Sequence, residues 1–471
     1  MQSHDDVGVS DGGHLGVLAI GRHSVAYAFG GLAYKGVALV SVPLLARLLS
    51  PAELGLLDLA AVLATLLGLA AGFGTEQGVA FFEPTASDEG EIWDAALTVV
   101  TSLSALFAVG CLVFQEPLAH LLTGNRDNSE IVAAAGLYAG SMAATALALN
   151  AIRLRGSPRA YATISFLVVT IESVGAVSVA LLLRDPVVWM VLAWTLGSAF
   201  VVVPVLVRYL PRPRRPRWAT ILNLARFGLP LVPVAIAWLV GDAWMRATLA
   251  RDADLSSLGE YGIAYRLTSV MSLAVAGFGV AWYPYLYRAP AAEVGSRFHA
   301  VGPSVLLAIG TMGVGLTALA PEVVDIVAGQ AYAAAGTAVP ALSGGMVALA
   351  AFVLTGAIVG RSGSTRRVGG AALIGMGVQI VAATTLIEPL GVGGASLASL
   401  AGYSVAAVVL LSSERWLLAG RGGIGFVTAA AWCGLGLGVS SQSFTQPIGI
   451  RFAMVVGFAM TAVLLARRLQ R

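Results

Sequence analysis

The chain has 471 residues, 58% hydrophobic and 11% charged, with a formal net charge of +3 and a mean hydropathy of +0.84. Soluble domains carry roughly 25% charged residues, so a soluble domain is excluded; the chain reads as a polytopic, all-α membrane protein with no nucleic-acid partner. Cys111 and Cys433 stand far apart inside apolar segments, which makes neither a disulfide framework nor a metal site, and no cofactor is expected.

Residues 1–21, beginning MQSHDDVGVSDGGHLG, are acidic and Gly-rich and lack a basic n-region and a cleavage site, so they read as a disordered tail and not a signal peptide. Apolar windows long enough for a bilayer core of roughly 30 Å then recur to the end of the chain. Fourteen spans are predicted, at 24–48, 54–80, 92–114, 131–152, 160–183, 187–207, 228–250, 260–287, 300–320, 337–359, 369–387, 392–412, 424–440 and 449–466. Between the first two, LLSPAELG starts a helix, with Ser50 as N-cap, Pro51 in the first turn and Glu53 completing a capping box. Such a cap favours water, so the stretch reads as the tight turn of a helical hairpin. When loops are assigned alternately to two faces, one face carries 20 of the 28 Lys and Arg residues and the other only five. The positive-inside rule makes the rich face cytoplasmic, places both termini there and puts Ser50 outside.

The S-x-x-E-x-G spacing of SPAELG (Ser50–Gly55) returns as SLGEYG (Ser257–Gly262). Each copy is followed down its helix by Gly-Phe-Gly, at Gly72–Gly74 and Gly277–Gly279. Six predicted spans separate the copies, so both have the same orientation. Two six-helix lobes related by a pseudo-two-fold axis along the membrane normal follow, residues 22–207 and 227–415, an arrangement in which transporters build sites between repeats. A basic, Pro-rich cytoplasmic linker, 208–226, joins them and reads as a topology anchor touching anionic headgroups. Residues 416–471 add two further spans and a basic tail.

Several stretches carry a resemblance: ARLLSPAELGLLDLA, GDAWMRATLARDADLSSLGEYGIAYRL, WYPYLYR, AGQAYAAAGTAVPAL, RSGSTRR and IEPLGVGGASLASLAGYSVAAVVLL. In this order they resemble the polysaccharide-transport branch of the MOP flippase superfamily, the Wzx-type O-antigen and capsule repeat-unit flippases, over about residues 22–415. The resemblance implies a MATE-like bundle in the cell membrane that works by alternating access. It implies an undecaprenyl-pyrophosphate-linked oligosaccharide as cargo, moved from the cytoplasmic to the outer leaflet, with membrane lipids, a polysaccharide polymerase and glycosyltransferases as partners. Lipid II flippases and multidrug extruders are related branches.

A sugar–pyrophosphate head needs a hydrated, charged cavity, so ionisable residues within the spans are the candidate substrate-binding residues: Lys35, Asp58, Glu172, Asp242, Arg246 and Arg266. Lys35, the only lysine, lies near mid-span with no acid three or four residues away; it either holds the pyrophosphate or pairs with Glu172. Asp242 and Arg246 are spaced to neutralise each other. Arg266 has no such partner on its own helix and points to a cavity role or to snorkelling. Asp58 and Glu76 are expected near opposite interfaces. Tyr261, Tyr265, Trp282, Tyr283, Tyr285 and Tyr287 are expected to form interfacial girdles. No phosphate-gripping loop precedes a Lys-[ST] pair and no loop is long enough for a catalytic domain, so an ATP-driven or enzymatic chain is not expected. The remaining alternatives are a cation-coupled multidrug or small-molecule antiporter and a non-transporting scaffold of a glycan-assembly complex. Spans 13 and 14 are expected to line a groove for the lipid tail.

Overall fold

The structure is a computed structural model, and it describes residues 37, 40–83, 88–155, 157–209, 216–228, 232–362 and 364–469. All regular structure among these residues is helical. Among the described residues, twelve helical stretches are long and apolar enough to cross a membrane, and they coincide with twelve of the fourteen predicted spans. Of the other two, the first lies largely outside the described residues, its tail forming α1 (40–48). The seventh is α10 (Val232–Asp252). The chain is a multi-pass membrane protein.

After α1, the capping box forms as the sequence dictates. Ser50 accepts from the Glu53 backbone N–H, and the Glu53 carboxylate accepts from the Ser50 N–H at 2.8 Å. Helix α2 (Pro51–Gly72) follows, but the expected continuous span 54–80 is two helices. Phe73 adopts φ 48° and Gly74 φ 68°, and two successive left-handed residues end an α-helix. The chain restarts as α3 (Thr75–Phe82). The second copy of the pattern, in α11 (Leu255–Tyr287), runs unbroken through Gly277–Gly279. Its N-cap is Asp254, which accepts from the Ser257 N–H at 2.6 Å, so the second motif lies inside the first turns and repeats the spacing without the capping box.

Helix α2 packs with α4 (Glu89–Val113), α6 (Ser129–Leu154) and α8 (Val187–Tyr209), and α7 (Pro158–Leu182) closes this group against α6 and α8. The second group joins α11 to α12 (Val294–Ala318), α14 (Ala335–Arg361) and α16 (Val392–Ser413), with α15 (Thr365–Leu390) bridging α16 and α10. Helices α17 (Gly420–Ser441) and α18 (Ile448–Leu469) pack on α12. Between the groups, α2 lies against α10 and α11.

The two groups are fastened at the Ser50 end. A side chain at Gly259 would run into the Pro51 carbonyl oxygen and sit 2.8 Å from its carbon, while one at Gly55 would lie 2.9 Å from the Gly259 nitrogen. Glycines at these two positions therefore let α2 and α11 cross backbone against backbone. Helix α13 (Ala320–Val327) and the turn after it reinforce the closure, since Arg47 donates to the Ile326 carbonyl at 2.7 Å and the Tyr332 hydroxyl, from that turn, donates to the Leu49 carbonyl at 3.0 Å. Arg451 of α18 pairs with Glu322 of α13 and donates to the Ala318 carbonyl at 3.0 Å. At the opposite end, the predicted linker carries a helix, α9 (Trp218–Gly228), that packs on α3 and α4.

Candidate functional site

Directly below the α2–α11 crossing lies a cluster of charges. Asp58 stands two turns into α2, and Gly262, the last residue of the second motif, leaves room for it: a Cβ there would lie 3.4 Å from the Asp58 carboxyl carbon. Arg246 of α10 donates from Nε to Asp58 Oδ2 at 2.8 Å and pairs through Nη1 with Asp242 Oδ2 at 3.2 Å. Arg266 of α11 donates from Nη2 to Asp58 Oδ1 at 2.9 Å. Gln379 of α15 donates to Asp242 Oδ1 at 3.2 Å.

Sequence spacing foretold the Asp242–Arg246 pair. It did not foretell the surroundings of Asp58, expected near an interface: the residue is only 6% exposed because α10 and α11 cover it, and it holds two arginines at once. Arg266 likewise has a partner, on another helix. Neutralisation across three helices is invisible to a search within one helix.

The expected girdle also divides. Tyr265 and Tyr261 turn inward, with ring centroids 4.7 and 5.4 Å from the Arg246 guanidinium carbon, a cation–π arrangement that favours the buried charge. Tyr261 reaches Ser399 of α16 at 3.1 Å. Trp282 is buried and donates to the Leu354 carbonyl at 3.2 Å. Only Tyr283, Tyr285 and Tyr287 are exposed. Sequence reasoning missed Gln379, a lone amide in an apolar span with no charged neighbour to mark it; its Oε1 has no partner among the described residues.

The two arginines differ chemically. Arg246 is 2% exposed and its fork is occupied by two carboxylates, so it is committed to the fold. The Arg266 side chain is 28% exposed, and its Nη1 has no hydrogen-bond partner among the described residues. Arg266 faces a cavity of about 260 Å³ enclosed by α1, α2, α6, α7 and α8. Glu172 of α7 lines the same cavity and accepts from the Tyr138 hydroxyl at 3.3 Å. The cavity thus has a half-satisfied cation on one wall and a carboxylate on another. Lys35, expected either to hold the pyrophosphate or to pair with Glu172, lies outside the described residues.

The expected groove at spans 13 and 14 has a counterpart. An apolar hollow of about 530 Å³ lies among α12, α17 and α18, bordered by Trp432, Leu435, Met454 and Phe458. None of its lining residues is shared with the charged cavity.

With this geometry in place, the known proteins it resembles are informative. The polysaccharide biosynthesis protein family matches residues 20–289. The chain is 28% identical over 334 residues to the succinoglycan biosynthesis transport protein ExoT of Rhizobium meliloti (strain 1021), a match covering 68% of this chain. The chain spans 64% of the length of that relative. Among solved structures, the lipid II flippase MurJ in an inward closed conformation superposes with a TM-score of 0.74 at 11% identity, over 95% of this chain and all of that one. An inward-facing multidrug resistance MATE family transporter of the MOP superfamily superposes with a TM-score of 0.60 at 16% identity, over 88% of this chain and 96% of the other. The chain belongs to the polysaccharide biosynthesis protein family and has the helical fold of the MOP-superfamily transporters.

Proposed function

We propose that the protein is a flippase that turns a lipid-linked, pyrophosphate-bearing oligosaccharide from the cytoplasmic to the outer leaflet of the cell membrane, for assembly of a surface or secreted polysaccharide. The observation that carries this reading is Arg266, which lines the cavity with its Nη2 on Asp58 and its Nη1 buried without a hydrogen-bond partner among the described residues. A phosphate, like a carboxylate, offers a pair of acceptor oxygens to a guanidinium, so a pyrophosphate can compete with Asp58 for Arg266 and, once the side chain turns toward the cavity, satisfy Nη1 as well. Displacing Asp58 from Arg266 leaves Asp58 on Arg246 alone and loosens one of the bonds that fasten α2 to α11. Substrate binding beneath the crossing would in this way weaken the closed end, which is what alternating access requires. The balance of basic residues supports a cytoplasmic location for both termini and for the α9 face. The similarity to a succinoglycan transport protein supports a glycan cargo.

Residues 22–207 and 227–415 would move as the two lobes, with Lys35 contributing a second cation from the first span. A polymerase and glycosyltransferases would supply and consume the cargo. The test is flipping of a fluorescent lipid-linked oligosaccharide in liposomes. Arg266→Ala and Lys35→Ala are each expected to lower the rate at least tenfold, and unchanged flipping in both removes the assignment. A second reading, cation-coupled export of small molecules, is favoured by Glu172, a cavity carboxylate with no ion pair among the described residues. It requires that Glu172→Gln abolish a pH-gradient-driven flux of an organic cation while lipid-linked oligosaccharide stays in place.

A further inference from the structure

A second hollow, of about 550 Å³, adjoins the charged cavity between α1 and α7, which line both. Its walls include Val40 and Leu44 on one side and Phe166, Val174 and Val177 on the other. Val40, Leu44, Phe166 and Val174 are exposed, so in a membrane they meet hydrocarbon. Two residues, Ser41 and Ser173, line both hollows.

Successive helical residues turn by about 100°. Along α7, Glu172 therefore faces the charged cavity, Ser173 stands on the boundary and Val174 faces the bilayer. Along α1 the order is Leu45, Ser41 and Val40. The edge shared by the charged chamber and the lipid-facing hollow is thus made by two of the smallest side chains available.

An amphiphile with an anionic head and a long hydrocarbon chain has opposite solvation needs at its two ends, because the head is costly in hydrocarbon and the chain is costly in a wet chamber. Adjacent polar and apolar compartments with a narrow edge between them meet both needs. The α12–α17–α18 hollow meets only one, since none of its described lining residues is charged.

We propose that the seam between α1 and α7 is a lateral door: the substrate's hydrocarbon chain lies in the Val40–Phe166–Val174 groove, its head lies beside Arg266, and the molecule bends between Ser41 and Ser173. The chemistry of this ligand rests on the flippase reading.

The first test uses a Ser41→Cys/Ser173→Cys pair, with Cys111 and Cys433 replaced by alanine, bridged by oxidation or a short bis-thiosulfonate in liposomes containing fluorescent lipid-linked oligosaccharide. Bridging is expected to reduce flipping at least tenfold and reduction to restore it. Undiminished flipping by fully bridged protein, or a pair that neither reagent bridges, overturns the proposal. The second test is independent of flipping. A benzophenone amino acid placed at Val174 is expected to capture radiolabelled polyprenyl pyrophosphate from vesicles several-fold more than one placed at Leu435 in the other groove. Equal capture, or capture favouring Leu435, overturns the door. Capture at Val174 by a protein that flips nothing retains the door and removes the flippase reading.

Discussion

Helix α2 starts on a Ser50 capping box and runs 22 residues before it breaks at Phe73–Gly74, whereas α11, with the same spaced Ser, Glu, Gly and Gly-Phe-Gly, starts on Asp254 and runs 33 residues without a break. The difference at the second motif comes from the neighbours. Gly74 lies against α9, where a Cβ would be 2.6 Å from the Gly228 Cα. Gly277 has nothing within 4 Å of the same position, and Gly279 meets only the Val353 and Tyr283 side chains at ordinary contact distance. Gly-Phe-Gly permits a break; a helix packed into the gap fixes one. At their first motifs the two helices converge, and there the glycines serve the crossing. One short pattern thus provides a fastened end and, in one copy, a jointed end.

Breaking the shared charge has the largest expected effect. Asp58→Asn leaves Arg246 and Arg266 short of a counterion at the point where the two helices meet, and removing one member of a buried pair costs about 3–5 kcal/mol. A fall in thermal stability in detergent of that order is expected, with a smaller fall for Asp242→Asn because Asp58 still holds Arg246. Equal falls would show that Asp58 does not link the two helices.

Next is the crossing itself. Gly259→Val overpacks a backbone contact, which costs about 1–3 kcal/mol and is expected to hold the Ser50 end apart. Spin labels at Ser50 and Asp254 should report a longer distance, with a matching loss of flipping; an unchanged distance would mean that the fastening lies elsewhere.

The smallest and most discriminating effect compares the same substitution in the two copies. Gly74→Ala puts a Cβ on a left-handed residue at a cost of about 1–2 kcal/mol, besides its clash with Gly228. Gly277→Ala, mid-helix and facing open space, is expected to stabilise by about 0.5–1 kcal/mol. Melting temperatures that move in opposite directions confirm that the joint is specific to α2; shifts of the same sign would erase the contrast.

The sequence alone determined the membrane class, because apolar windows of bilayer length and a low charge content need no tertiary knowledge to be read. It also determined the Ser50 cap and the Asp242–Arg246 pair, since both depend on contacts within four residues along the chain. Only the tertiary structure decided that Asp58 is buried between two arginines, that Tyr261 and Tyr265 cover Arg246 instead of forming a girdle, that α2 breaks where α11 continues, and that two serines separate a charged cavity from an apolar groove. Each of these depends on which helices are neighbours. A residue's own segment fixes its depth and its helical phase, but the charge, ring or backbone that meets it comes from a segment up to hundreds of residues away.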